Sequence, residues 1–560
     1  MARILTLHHP ELTREHYRSN IWQGDTMYAL ARRHATERGT SFALRDAHRR
    51  VTWADLVAWV DAVAADLDTA GLRSGERVSV WLPNRLESTV VFLACARNGY
   101  VCNPSLHQNY TVEEIAGLVS AIGARALIAQ PGYGADAATA DVFAKAAELP
   151  SLKRVYALPP LNADAPPLPC GTHAFPPLPG ATALKAPTSP ASGDPDKIVY
   201  LAFTSGTTGQ PKAVMHSDNT LLANGRAMVA DWGHGPDTVL LSLSPMSHHI
   251  GTVALEQTLV AGCELAMHDP AAGATAIDWI EQTGATYVMG VPTHAMDILH
   301  AAEGRGMDRL GSVRVFYLAG APIPTETARK LVVLGATPQN VYGMTENGSH
   351  QYTKPTDSAE VITSTCGKAC SGYEIKLWQQ DNPDVEAPPG EIGEIGGRGG
   401  LLMLGYFGNQ QATESSFNAS GWFMSGDLGR FDAHGNIQIV GRKKDLIIRG
   451  GHNIHPARIE DLAHRHPKVK KAAAFPVPDE RLGEKVCLAI IADGEAPSAD
   501  ELLNHLAETG LSKYDMPEYY IALDALPLTA SGKILKRELV AWARSGRLQP
   551  QPVRYRGKPQ

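Results

Sequence analysis

Nowhere in the 560-residue chain do eighteen apolar residues run together, so no membrane-spanning helix is expected. The opening run Met-Ala-Arg-Ile-Leu-Thr-Leu is interrupted by His8, His9 and Pro10 before a signal-peptide core could form, and no export signal is read there. Cysteine is sparse. The seven (Cys95, Cys102, Cys170, Cys263, Cys366, Cys370 and Cys487) are scattered and odd in number. Only Cys366 and Cys370 lie close together, and no second pair offers the spacing of a zinc site. They read as reduced thiols of a cytoplasmic protein, most of them packing groups. An excess of positive charge is also lacking: 51 Lys plus Arg against 58 Asp plus Glu give a net charge of −7. Nothing here draws the chain to nucleic acid or to an anionic membrane. There is no internal repeat. No Walker A sequence is present either, since Ser531-Gly532-Lys533-Ile534 fails the Gly-x4-Gly-Lys-Ser/Thr pattern.

With 44% hydrophobic and 19% charged residues, the chain can bury large cores and is not disordered throughout. Its length suggests two to four domains at roughly 150 residues each. Short β-branched runs alternate with amphipathic stretches over the first three quarters. Arg77–Leu82, Thr238–Leu243, Thr286–Val291 and Arg314–Leu318 read as buried strands. Trp53–Leu67 and Thr325–Leu334 read as helices, with Thr325 as an N-cap. Such alternation implies parallel sheet with helices on its faces, and ligands at the carboxyl ends of the strands. Pro159–Pro195, rich in Pro, Ala and Ser, reads as an extended surface connection ending where Lys197–Phe203 begins a strand. Glycine-dense Gly390–Gly405 and the alternation in Gly435–Val440 suggest a smaller antiparallel unit. Beyond Lys444 a new pattern begins: a helix from Pro456, strands at Lys471–Phe475 and Val486–Ala492, and a helix from Ala499. That suits a compact terminal domain of about 115 residues.

The densest chemical signal is Leu201–Val214, LAFTSGTTGQPKAV. A strand runs into glycines and hydroxyls and then a lysine. Glycines let backbone N–H groups approach an anion, hydroxyls add donors, and the ammonium neutralises charge. By itself such a run is also an ordinary polar turn.

This segment resembles the phosphate loop of the adenylate-forming superfamily, which includes acyl-CoA synthetases, aryl-CoA ligases, luciferases and peptide-synthetase adenylation domains. Further matches follow in order along most of the chain. Pro245-Met246-Ser247-His248-His249-Ile250-Gly251 is similar to the acyl-site loop. Gly320-Ala321-Pro322 resembles the adenine turn, and Tyr342-Gly343-Met344-Thr345-Glu346 the aromatic–Thr–Glu motif. Gly421–Asp427 resembles the ribose motif and Gly441–Glu460 the hinge. Pro527–Lys533 is similar to the terminal lysine loop. The resemblance implies an α/β fold: a large N-terminal domain of α/β sheets plus a small β unit over residues 1–443, and a small mobile α+β C-terminal domain over 444–560.

The resemblance also implies a site. Thr204, Ser205, Gly206, Thr207, Thr208 and Lys212 would hold the β- and γ-phosphates of ATP. Gly320, Ala321, Pro322, Tyr342, Gly343 and Met344 would surround the adenine end, with Asp427 at the ribose and Arg442 at the ribose or a phosphate. Thr345 would meet the α-phosphate and Glu346 would hold Mg²⁺, a hard cation suited to carboxylate oxygen. Lys533 would bridge the substrate carboxylate and phosphate oxygens as charge develops. Lys444 would be the hinge, and Gly450-Gly451 would approach the thiol of coenzyme A after the small domain turns. Taken singly, Thr-Glu would read as a helix cap, Asp427 as an Asx turn and Arg442-Lys443-Lys444 as a solvated basic turn. The chain departs from the common pattern at Phe203, Ala213, Cys370 and Arg458, none of them a group assigned to chemistry.

The acyl pocket is expected near His248, His249, Ile250, Met289, Val291, Asn347 and Gly348. This mixture of apolar and small residues with few charges suits a compact ring or short branched acid. The runs Thr345–Thr353 and Cys366–Cys370 look most like alicyclic and aromatic acyl-CoA ligases, cyclohexanecarboxylate–CoA ligase foremost. The expected activity is AMP-forming ligation of a small-molecule carboxylic acid to coenzyme A, with a homodimer left open. The alternatives are an aryl-acid adenylating enzyme that loads a carrier protein, a non-catalytic nucleotide-binding relative, and an ATP-dependent phosphotransferase. No carrier domain is visible after Lys533, which favours free coenzyme A.

Overall fold

The computed structural model describes residues 6–161, 167–178, 187–204, 211–270, 273–321, 323–528 and 534–555. Two large sheets dominate. One has nine strands in the spatial order Lys368–Ala369, Gly348–Tyr352, Thr337–Met344, Val315–Leu318, Tyr287–Gly290, Val239–Ser242, Glu264–Met267, Phe42–Arg45 and Arg50–Thr52. Its six central strands are parallel, and antiparallel strands close both edges. The second has six, in the order Arg154–Ala157, Ala126–Ala129, Arg77–Trp81, Val101–Asn103, Ile198–Thr204 and Lys212–Ser217. It is parallel except for the final hairpin.

The largest core joins the inner faces of both sheets to the helices Trp53–Thr69, Leu86–Asn98, Asp218–Trp232 and His249–Ala261. Leu86–Asn98 is buried around its whole circumference, as expected of a helix enclosed on all sides rather than amphipathic on one. Gly225 sets the contact between Asp218–Trp232 and His249–Ala261. A Cβ there would lie 2.9 Å from the Glu256 Cβ and carbonyl carbon, so only glycine lets these two helices meet.

The buried strands form where the apolar runs predict them, shortened by one or two residues at their ends. Thr325 is a correction: it is the first helical residue, Pro324 precedes it as the cap, and no side chain caps this helix. The described residues of the connection 159–195 lie over the surface, none of them buried, and Phe175 and Pro176 anchor it to the protein. Phe175 sits edge-on to both Trp59 and Tyr156, and Trp59 Nε1 donates to the Pro176 carbonyl at 2.8 Å. The glycine-dense region forms a four-stranded antiparallel sheet, Tyr373–Trp378, Gly393–Gly399, Phe423–Phe431 and Ile437–Arg442.

Residues after Lys444 build a sheet of their own, centred on Val469–Asp479, Gly483–Ala492 and Tyr519–Ala522. Helices Pro456–His464 and Ala499–Glu508 complete one core, and Lys536–Arg544 packs in a second. Glu460 ties these pieces together, accepting from Ala474 N and pairing with Lys536 Nζ, both at 2.7 Å. All seven cysteines are free thiols, five of them buried. Burial pushes the Cys366 and Cys370 thiols up to about 12, so both are protonated packing groups.

Candidate active site

The loops at the carboxyl ends of the parallel strands, the four-stranded sheet and the helix Lys536–Arg544 enclose one cavity of about 1550 Å³. Thr204, Lys212, His248, His249, Ile250, Gly320, Gly343, Met344, Thr345, Glu346, Gly348, Asp427, Arg442 and Lys444 all line it. Segments as far apart as residues 204 and 444 therefore share one wall. Ser205, Gly206, Thr207, Thr208, Pro322 and Lys533 lie outside the described residues.

Asp427 follows a tight turn held from two sides. Ser425 Oγ donates to the Ile395 carbonyl at 2.7 Å and accepts from Asp427 N at 3.1 Å. Glu394 accepts from Gly426 N at 3.2 Å and from Lys443 Nζ at 2.8 Å, clamping the turn to the end of strand Ile437–Arg442. The Asp427 carboxylate accepts from the Tyr342 hydroxyl at 2.9 Å and from Arg442 Nε at 3.0 Å. Burial, and after it the Asp427 charge, hold the Tyr342 phenol far above its usual range, so it remains a donor. Tyr342 is thus spent on orienting Asp427 and does not line the cavity.

Glu346 lies at the tight turn between Thr337–Met344 and Gly348–Tyr352. Gly343 is required there, because a Cβ would stand 1.9 Å from the Gly348 carbonyl oxygen. The Tyr406 hydroxyl donates to Glu346 Oε1 at 3.0 Å, and Lys212 Nζ lies 4.8 Å from the Tyr406 ring centre. Lys212, the Tyr406 ring and Glu346 therefore form one run of contacts. The sequence does not single out Tyr406, which directly follows the glycine-dense Gly390–Gly405 and belongs to none of the motifs.

His216 fixes Thr345. Its Nε2 is 2.7 Å from the Thr345 carbonyl and its Nδ1 is 3.0 Å from Thr220 Oγ1. A carbonyl only accepts, so Nε2 carries the proton. Among the described residues no three His, Cys, Asp or Glu groups are placed to hold a metal ion. The donor set fits Mg²⁺, which keeps its waters and takes substrate phosphates alongside one or two carboxylates. Glu346 is the carboxylate that would hold it.

The acyl-pocket expectation needs correction at three positions, none of which lines the cavity. Met289 is fully buried in the core, its sulfur 3.4 Å from Gln257 Nε2. Val291 sits behind Gly320, 3.6 Å from where a Cβ on that glycine would be. Asn347 accepts from Met344 N at 3.1 Å through its own side chain, closing the turn rather than facing a ligand. Their places are taken by Tyr200, Val253, Tyr317 and Ser349, with His107 and Tyr110 nearby. The phenols are already engaged, Tyr200 with His249 Nδ1 at 3.1 Å and Tyr317 with Ser349 Oγ at 2.7 Å. His248 caps the helix His249–Ala261, its ring accepting from Ile250 N at 3.3 Å. Ala321, Gly450 and Gly451 are exposed away from the cavity.

Burial lowers the pKa of His107 and His216 to about 4 and of His350 to about 3. Unfolded imidazoles bind a proton near pH 6.5, so between about 6.5 and 4 the unfolded chain holds more protons and stability is lost as pH falls. A thermal midpoint that declines across that window is expected, and a flat one would contradict neutral burial of these rings.

This convergence of motif-bearing loops on one cavity is that of a nucleotide-dependent ligase. The chain belongs to the AMP-binding enzyme family, whose model matches residues 31–407, with the AMP-binding enzyme C-terminal domain matching 458–533. Its relatives place it among the acid–thiol ligases and adenylating ligases. It is 31% identical over 539 residues to 2,3-dihydroxybenzoate-AMP ligase of Bacillus subtilis, covering 95% of this chain and 96% of that one. It is 30% identical over 469 residues to medium-chain fatty-acid–CoA ligase of Escherichia coli, covering 83% and 81%. ATP-bound MatB of Rhodopseudomonas palustris superimposes with a TM-score of 0.78 at 28% identity, over 93% of this chain and 99% of that one.

Proposed function

We propose that the chain is an AMP-forming carboxylic acid–CoA ligase for a small alicyclic or aromatic acid such as cyclohexanecarboxylate. ATP, Mg²⁺ and coenzyme A complete its substrate and cofactor set, and the cytoplasm is its compartment. Among the described residues no helix is long and apolar enough to cross a membrane. The observation that carries the choice of acid is the cavity lining. Tyr200, Ile250, Val253 and Tyr317 belong to it, and such a mixture of rings and short branched side chains favours a compact ring over an extended chain.

In the first step a carboxylate oxygen attacks the α-phosphorus. The α–β phosphoanhydride bond breaks and pyrophosphate leaves. Thr204 and Lys212 hold the departing phosphates, the role the resemblance also implies for Ser205, Gly206, Thr207 and Thr208. Asp427, held by Tyr342 and Arg442, orients the ribose while Gly320, Gly343 and Met344 surround the adenine. When bound, Mg²⁺ neutralises phosphate charge, and Glu346 and Thr345 hold that side of the site. Lys533 stabilises the developing charge between carboxylate and phosphate. In the second step the thiol sulfur bonds to the acyl carbon, the acyl–phosphate oxygen bond breaks, and AMP and the thiol proton leave. Lys444 divides the two domains and turns between these steps. The position of Gly450-Gly451 outside the cavity supports this, as a segment that enters only after rotation.

The test is AMP and pyrophosphate release across cyclohexanecarboxylate, benzoate, hydroxybenzoates and short to medium fatty acids, with and without coenzyme A. Coenzyme A-dependent AMP release that peaks on a ring acid is expected. A peak on fatty acids would overturn the choice of acid. The similarity to 2,3-dihydroxybenzoate-AMP ligase favours one second reading, delivery of an aryl acid to a carrier protein. Pyrophosphate exchange without thioester formation would select it.

A further inference from the structure

Behind the acyl end of the cavity lies a group that the two-step reaction does not use. Glu256 stands one helical turn beyond the cavity-lining Val253 on the helix His249–Ala261, on the same face. It is fully buried, and neither of its carboxyl oxygens has a hydrogen-bond partner. The side toward Asp218–Trp232 is closed, because the helices meet there at Gly225. On the cavity side are Tyr200 and Tyr317. Burial raises the pKa of both phenols, and among charged groups Glu256 is the first to raise them further. It therefore sits within electrostatic reach of both.

A buried carboxyl without partners is costly, and a leucine or methionine would pack there without that cost. Burial alone drives the Glu256 carboxyl well above the usual range. The uncharged form that burial favours has an O–H to donate and a carbonyl oxygen to accept. The group best matched to it is neutral and both donates and accepts. A second carboxylate finds no cation here, and an alkyl terminus leaves both oxygens unpaired.

We propose that Glu256 is a specificity-determining residue of the acyl pocket: it receives, between the Tyr200 and Tyr317 rings, a hydroxyl carried by the acid at the end remote from the reacting carboxylate. This rests on the acid–CoA ligase reading and narrows its substrate to hydroxylated ring acids.

The experiment compares paired acids that differ only in that hydroxyl: 4-hydroxybenzoate with benzoate, and trans-4-hydroxycyclohexanecarboxylate with cyclohexanecarboxylate. Each is assayed for coenzyme A-dependent AMP release by the wild-type enzyme, E256Q and E256L, and calorimetry measures binding of each acid in the presence of AMP. The wild type is expected to favour the hydroxylated member of at least one pair by about tenfold or more in kcat/KM, carried mainly by KM. E256Q retains most of that preference because an amide also donates and accepts, whereas E256L abolishes it. A purely structural role would move thermal stability and leave the ratio between paired acids unchanged. Should E256L fail to fold, E256M carries the same comparison. Equal use of both members by the wild type, or an undiminished preference in the apolar variant, overturns the proposal while leaving acid–CoA ligation standing. Discrimination in binding with no AMP released from any acid does the reverse.

Discussion

Replacing Lys533 with alanine is expected to lower pyrophosphate formation from acid and ATP by a few hundred-fold, while thiolysis of supplied acyl-adenylate should fall far less. The physical reason is where charge appears. In the first step, negative charge accumulates between two groups that are already anionic, the carboxylate and the α-phosphate. A cation placed there is worth about 3–4 kcal/mol, by comparison with single donors to an oxyanion, which is a few hundred-fold in rate. In the second step a neutral thiol or its thiolate meets a mixed anhydride, and the same lysine has no comparable charge to stabilise. Single-turnover assays of each half-reaction separate the two. Equal loss in both steps would sink the assignment of Lys533 to adenylation.

Asp427→Ala is expected to raise KM for ATP by roughly ten- to a hundredfold, as loss of hydrogen bonds to a charged group warrants, and to lower the thermal midpoint. The first effect follows from the carboxylate facing the cavity, and the second from what surrounds it. Without Asp427, the buried Tyr342 hydroxyl and Arg442 Nε lose the acceptor they share, at 2.9 Å and 3.0 Å. Leaving such a donor unmade costs about 1–3 kcal/mol. Asp427→Asn separates the two contributions, because its single carbonyl oxygen keeps one of the two bonds and the side-chain shape. It should recover most of the stability and little of the nucleotide affinity. An unchanged KM for ATP in both variants would remove Asp427 from the ribose site.

The elements most legible in the sequence were those whose signal is local. Buried parallel strands such as Tyr287–Gly290 and Val315–Leu318 are continuous apolar runs, because both of their faces are covered. The motif glycines were legible for a similar reason: at Gly343 no other residue clears the Gly348 carbonyl. Thr325 shows how a local rule fails. Threonine before an amphipathic stretch is a sound cap signal, but Pro324, one residue earlier, takes the N-cap position and Thr325 becomes the first helical residue.

The amino-acid sequence by itself determined the family, the order of the motifs and the chemistry they carry, since each motif is a short run whose residue types must be adjacent to work. Only the tertiary structure decided what stands between the motifs. Met289, Val291 and Asn347 read as pocket residues because they adjoin pocket segments, yet each side chain is directed into a core, behind a glycine or into its own turn. Tyr200, Tyr317 and Tyr406 carry no mark in the sequence that separates them from ordinary strand or loop aromatics. They reach the cavity because strands and loops far apart in the chain converge there. Glu256 is the extreme case: in sequence a single carboxylate in an apolar helix, in the fold a fully buried carboxyl near two phenols, where burial favours its uncharged form.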